Sequence, residues 1–178
     1  MTYRLKLDKI YLRMGDYMNR RHIALWVARI LLCIATLSLV VFIFSNSMQT
    51  ATASNASSGR VLFFLNNICA SLNLNFTFNQ EIVRTLAHFC EFGLLGVLSV
   101  LTFLSFFGVK AKSLILSVLF SVSTALTDEC IQLFSDGRAF QFSDLAIDSA
   151  GFMLGIVGVF LIALLINNHR IKISEKEL

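Results

Sequence analysis

Four long apolar runs alternate with short polar stretches along the chain. They cover residues 23–44, 80–106, 113–133 and 144–166. Crossing about 30 Å of hydrocarbon takes ~20 helical residues, and each run is of that length. Helix is the structure to expect, because the bilayer core offers no partners for free backbone groups. The second run is polar at its start. Residues 45–79 open with the small, polar "SNSMQTATASNASSG" and then turn apolar in "RVLFFLNNICASLNL". In that second part Val61, Phe64, Leu65, Ile68 and Leu72 recur on one helical face, which predicts a short helix after the first span. Such a helix lies in the membrane interface or packs on the chain's own spans. Asn79 reads as the N-cap of the second span, with Glu81 in its first turn.

Composition agrees with this pattern. Of 178 residues, 56% are hydrophobic and 15% charged, against about 25% charged in soluble domains. The fold class expected is all-α: a polytopic membrane protein with four transmembrane helices in a bundle. The domains are a basic tail at 1–21, a membrane domain at 22–166 and a second tail at 167–178. The first apolar run, at about 22 residues, is longer than the ~7–15 of a signal-peptide core. It reads as an uncleaved span, although Ala51-Thr52-Ala53 resembles a cleavage site.

The net charge of +4 does not point to nucleic acid, because the basic residues form no stripe interleaved with aromatics. They sort by side of the membrane instead. Arg4, Lys6, Lys9, Arg13, Arg20, Arg21, Lys110, Lys112, Arg170, Lys172 and Lys176 fall on one side; Arg60, Arg84 and Arg138 fall on the other. Lys and Arg concentrate in short cytoplasmic flanks, so both termini are expected in the cytoplasm. Arg29, early in span one, is expected to reach the inner interface. Cys33 and Cys90 read as small buried hydrophobes, and nothing in the spacing pairs Cys69 with Cys130.

Polar residues converge near the outer ends of three spans. On span two, Arg84, His88 and Glu91 fall within about 60° of arc at ~100° per residue. On span three, Ser117, Ser121, Thr124 and Asp128 follow the same rule, extended by Glu129 and Gln132. On span four, Asp144 and Asp148 share a face with Gly151, Gly155 and Gly158. Gly151-x-x-x-Gly155 is a small-residue seam of the kind that lets helices approach closely, so the two aspartates point into the bundle. Asp136-Gly137 is a turn dipeptide followed by Arg138. Ser143 reads as the N-cap of span four, with Asp144 in its first turn.

Residues 127–151 therefore carry five of the chain's eleven acids. With neutral His88, the converging carboxylates exceed Arg84 and Arg138 by three charges. That excess is unfavourable away from water, so some carboxylates hold protons, face water or meet a cation. Intramembrane ionisable groups are functional candidates. No cofactor is firmly indicated. A divalent cation fits the chemistry, with His88, Glu91, Asp128 and Asp148 as its ligands; His88 and Glu91 stand at the i, i+3 spacing of bundle metal sites.

The segments "HFCEFGLLG", "TDECIQLF", "GRAFQFSD" and "DLAIDSAGFMLG", in this order and spacing, resemble the VanZ-like membrane proteins from about Phe42 to Ile166. The family's polar positions map onto Arg84, His88, Glu91, Asp128, Glu129, Gln132, Arg138, Asp144 and Asp148. The sequence departs from the family where a proline often precedes Gly-Arg, here Asp136, and where Ser-Ser-Gln often follows span one, here "SNSMQ". The resemblance implies a bacterial cytoplasmic-membrane protein. It also implies a role in cell-envelope physiology or in resistance to teicoplanin-type glycopeptides.

Three functions are open at this point. The polar mouth binds a cationic group or an amphiphile at the outer leaflet, with membrane lipids as partners. Alternatively, the protein is an enzyme acting on a phosphate-bearing lipid headgroup or envelope precursor. Arg84 or Arg138 would then hold the phosphate, and an ion on Asp128, Glu129, Asp144 or Asp148 would bridge to it. His88, oriented by Glu91, would move a proton. The third is a proton- or cation-coupled transporter.

Overall fold

The computed structural model describes the backbone of residues 2–176 and the side chains of residues 20–173 and 175. Among these residues the chain forms five α-helices and no strand: α1 (Thr2–Ser47), α2 (Ala51–Ser71), α3 (Gln80–Phe107), α4 (Ala111–Gln132) and α5 (Phe142–Lys176). Four segments are long and apolar enough to span a membrane: Arg20–Ser47, Gln80–Phe107, Ala111–Gln132 and Phe142–Ile173. Their mean hydropathies are 2.6, 1.9, 1.6 and 2.6. The two lowest values belong to α3 and α4, whose polar stripes face inward rather than to lipid.

α3 lies at the centre, packed chiefly on α5 and also on α4, α1 and α2. Lipid tails are as apolar as leucine, so hydrophobicity alone does not hold spans together; close packing and polar contacts do. The α3–α5 seam shows how. Gly93 and Gly96 on α3 face Gly151, Phe152 and Gly155 on α5. A Cβ at Gly151 would lie 2.5 Å from the Phe89 carbonyl oxygen. One at Gly96 or Gly155 would collide with the backbone of the facing helix. The Gly151/Gly155 seam read from the sequence is thus a backbone-to-backbone contact. Gly158 is not part of it, since a Cβ there meets nothing within 4 Å. Phe92, Leu95, Val100, Ala125, Phe152, Ile156 and Ile43 complete the apolar core.

At the end of the bundle opposite α2, Arg29 donates from Nε to the Ser105 carbonyl (2.9 Å). Its guanidinium sits over Trp26 and Phe106. It is therefore anchored to the last turn of α3 rather than extended freely along span one.

Several boundaries differ from the expectation. α1 continues through the basic tail as one helix, and α5 continues through most of the C-terminal tail. The charges of Arg4, Lys6, Lys9, Arg13 and Lys176 lie outside the described side chains. α2 begins at Ala51, so it takes in the small, polar stretch ahead of the apolar face that predicts the helix. Thr50 caps it, its side chain accepting from the Ala53 N–H. Val61, Phe64, Ile68 and Leu72 form its exposed apolar face, with Leu65 half-buried. The Asn79 cap is formed through the Ile82 N–H (2.8 Å). Ser143 is not a cap: α5 starts at Phe142, so Gln141 holds the cap position. Cys90 is exposed rather than buried, because it borders an open cleft between α1, α2 and α3. All four cysteines are free thiols, with Cys69 buried and Cys130 exposed.

Candidate functional site

The nine polar residues singled out from the sequence lie together at the α2 end of the bundle. α3 brings Arg84, His88 and Glu91. The last turn of α4 brings Asp128, Glu129 and Gln132, each fully buried. The first two turns of α5 bring Asp144 and Asp148, the latter also fully buried. The α4–α5 connection, turned by Asp136 and Gly137 (φ +74°), brings Arg138.

Each carboxylate has a partner, and Asp128 and Glu129 share one. Asp144 Oδ2 pairs with Arg84 Nη2 at 2.6 Å. Asp148 Oδ1 lies 3.2 Å from His88 Nδ1. Asp128 Oδ1 accepts from the Ser47 hydroxyl (2.5 Å) and its Oδ2 from Gln132 Nε2 (3.1 Å). The same Gln132 nitrogen reaches Glu129 Oε1 at 3.1 Å, while Glu129 Oε2 accepts from the Gln141 N–H (2.8 Å). Glu91 Oε1 accepts from Asn46 Nδ2 (3.2 Å). The expected pairing of Glu91 with His88 does not form. One turn apart on α3, the two side chains diverge, Glu91 toward the end of α1 and His88 toward α5.

Arg138 does not pair with a carboxylate either. Its Nη2 donates to the Ser54 hydroxyl on α2 at 2.6 Å, and the described residues contain no ion pair to it. Burial holds this guanidinium below its usual value, and the charge of Arg84 adds to the effect. Bringing two cations together in a half-dry place costs free energy that an anion between them would relieve.

Two connected features open here. A cleft of about 450 Å³ runs between α1, α2 and α3. Its polar lining includes Asn46, Ser54, Arg84, His88, Glu91 and Arg138, and its apolar lining includes Phe42, Leu65 and Leu86. Phe42, Leu86 and Cys90 are themselves exposed, so the cleft opens sideways to the surroundings of the helices. A smaller pocket of about 240 Å³ shares Ser54, Arg84 and Arg138 with it and adds Asn55 and Gln141. The carboxylates at the base are buried while the arginines line open space. Arg84 and Arg138 share that open lining with the half-buried Glu91, and Asp144 pairs with Arg84 at the mouth.

Of the four residues named as metal ligands, three come together. One ligand atom each from His88, Asp128 and Asp148 lies within 4.8 Å of the others. Glu91, held by Asn46, is not among them.

The sequence reading missed Asn46, Ser47, Ser54, Ser135 and Gln141. Asn46 and Ser47 mark where the first apolar run stops, and that abrupt change is the signal for them. Ser135 donates to the Ser47 carbonyl (2.7 Å), and the Ala51 N–H donates to the Asp136 carbonyl (3.0 Å). These bonds fasten the α4–α5 turn onto the α1–α2 turn.

No curated protein and no solved structure matches this chain. The family model described as VanZ/LLP1 matches residues 31–165. That stretch contains most of all four spans and every residue of the polar cluster, and the chain belongs to the VanZ/LLP1 family.

Proposed function

We propose that this multi-pass VanZ/LLP1-family protein binds an amphiphile with an anionic, phosphate-bearing headgroup at the outer leaflet of the bacterial cytoplasmic membrane. The observation that carries this reading is the pair Arg84 and Arg138, which line the same cleft and the same small pocket. Arg138 is free of any carboxylate among the described residues. Guanidinium is the group best matched to phosphate oxygens. Phe42, Leu65 and Leu86 on the cleft wall suit the first methylenes of an acyl chain, and the sideways opening suits arrival from the membrane. The placement at the outer leaflet rests on the distribution of Lys and Arg, and it makes the apolar face of α2 an interfacial one. A protein that holds such an amphiphile alters how acylated glycopeptides meet the membrane, the route to a teicoplanin-type phenotype.

Binding is testable with purified protein in detergent, by native mass spectrometry against phosphatidic acid, phosphatidylglycerol and phosphatidylcholine. The anionic lipids are expected to bind preferentially. Arg138→Ala should weaken them about 10- to 100-fold, the value of one charge-assisted hydrogen bond of about 1.5–3 kcal/mol. Equal binding of all three lipids, or full binding to an Arg84→Ala/Arg138→Ala variant, refutes the reading.

A second reading, chemistry on the bound headgroup, is favoured by His88 standing in the cleft beside buried Asp148. It requires that lipid extracts from cells with and without the protein differ in headgroup composition. Transport has less support. The buried hydroxyls below the site, such as Thr124 and Ser117, donate to carbonyls of their own helix (Phe120 and Ser113), so they are committed there.

A further inference from the structure

We propose that His88, Asp128 and Asp148 bind a divalent transition cation of the Zn²⁺ or Mn²⁺ class, with open coordination positions toward the cleft. One donor from each of three helices lies within 4.8 Å of the other two. Ligands about 2.0–2.2 Å from one ion are themselves roughly 3–4 Å apart. Closing the set takes side-chain shifts on the order of 1 Å.

A second observation points the same way. Asp148 is fully buried, and its Oδ2 has no hydrogen-bond partner. A buried carboxylate oxygen with a free lone pair is costly unless something positive meets it. No guanidinium supplies that charge, since Arg84 is held by Asp144 and Arg138 by Ser54. Two buried carboxylates, Asp128 and Asp148, thus share only the one imidazole. A dication balances both.

The surroundings resemble a metal shell. Ser47 and Gln132 donate to the two oxygens of Asp128, and such outer partners orient a ligating carboxylate. The donor set selects among ions. Ca²⁺ takes 6–8 oxygens, and Mg²⁺ favours oxygen with several retained waters. One imidazole with two carboxylates suits Zn²⁺ or Mn²⁺. Access is through the cleft, which His88 and Ser47 both line. The metal site stands on its own geometry and does not require a headgroup ligand.

The test uses the full chain in detergent with the metal alone. After chelation and desalting, Mn²⁺ is titrated and followed by electron paramagnetic resonance, and bound Zn²⁺ is measured by elemental analysis. About one ion per chain is expected. His88→Ala should weaken binding at least ~100-fold, and Ser47→Ala, which leaves all three ligands in place, about 10-fold. Far less than one ion per chain in the folded wild type overturns the proposal. So does wild-type affinity in His88→Ala, which means an adventitious ion only. Should His88→Ala fail to fold, the wild-type stoichiometry and the Ser47→Ala shift decide the matter. Lipid selectivity plays no part in this readout, so failure here and failure of the headgroup reading are separable.

Discussion

Replacing Gly151 by alanine tests how the α3–α5 seam supports the polar site. The new methyl would start 2.5 Å from the Phe89 carbonyl oxygen and 3.1 Å from the Gly93 nitrogen. Ordinary contact begins at about 3.4 Å, so α5 must move off α3 by roughly 0.9 Å. Neither neighbour can yield alone, because both atoms are helix backbone. Overpacking of this kind costs about 1–3 kcal/mol. Asp148 lies one turn up the same face. A shift of that size takes its 3.2 Å contact with His88 beyond hydrogen-bonding distance. Gly158→Ala is the control: its methyl meets open space, and helix propensity changes by at most ~1 kcal/mol in its favour. Unfolding by sodium dodecyl sulfate in mixed micelles, followed by circular dichroism, should show Gly151→Ala destabilised by about 1–3 kcal/mol and Gly158→Ala unchanged or slightly stabilised. Gly151→Ala should also lose metal and amphiphile binding at detergent levels where it is still folded. If the two variants unfold alike and bind alike, the seam does not set the site.

Two further outcomes are expected. Asn66 closes a pair of hydrogen bonds on the Phe78 backbone, accepting at 2.8 Å and donating at 3.2 Å. Asn66→Ala should loosen α2 by roughly 1–3 kcal/mol, seen as faster hydrogen exchange confined to α2 and the 72–79 connection; unchanged exchange there counts against it. For orientation, single cysteines at Asn55 and Lys112, in a background with the native cysteines changed to serine, are to be labelled on intact cells with an impermeant maleimide. Asn55→Cys should react and Lys112→Cys should not, and the reverse pattern overturns the outward placement of the site.

The spans were legible because a run of ~20 apolar residues has few alternatives in water or lipid. The inward faces of α3, α4 and α5 were legible because polar residues at helical spacing have one direction in which to avoid hydrocarbon. Thr124, Ser121, Ser117 and Asp128 obeyed that rule and are buried. The partners were not legible. Helical phase says which way His88 and Glu91 point to within a quadrant. It does not say that Asn46, at the end of another helix, captures Glu91. The first half of α2 was not legible as helix for a related reason. Serines and alanines there look like loop composition, yet Ser54, Ser57 and Ser58 are polar because they line the cleft. A helix face turned to a polar cavity leaves no apolar period to detect. The facing glycines Gly93 and Gly96 were not legible because their three-residue spacing lacks the small-xxx-small pattern that marks Gly151 and Gly155.

The division of labour among the carboxylates follows from depth. Asp144 sits at the mouth, 13% exposed in its side chain, opposite an arginine that is 34% exposed. Such a pair is partly screened, and water shares the burden of its charge. Asp128, Glu129 and Asp148 lie beneath it with no exposure at all. No arginine follows them inward, although Arg84 is only one turn of α3 away from His88. Neutral donors suffice for Glu129, which receives both Gln132 and the Gln141 N–H. They also suffice for the hydrogen-bonding needs of Asp128. They do not suffice for Asp148, whose second oxygen faces nothing. A bundle that needed only to hold its helices together would be better served by an apolar residue at that position, since burying a half-satisfied acid is unfavourable relative to packing. The site keeps the acid, and keeps it beside the single imidazole that reaches the cleft. Under the two proposals that arrangement has a physical rationale: an acid set to meet a cation, beneath a cleft where Arg84 and Arg138 are set to meet an anion. If a dication is held by His88, Asp128 and Asp148 as proposed, a phosphate would satisfy both layers, and the metal and lipid assays decide each layer separately.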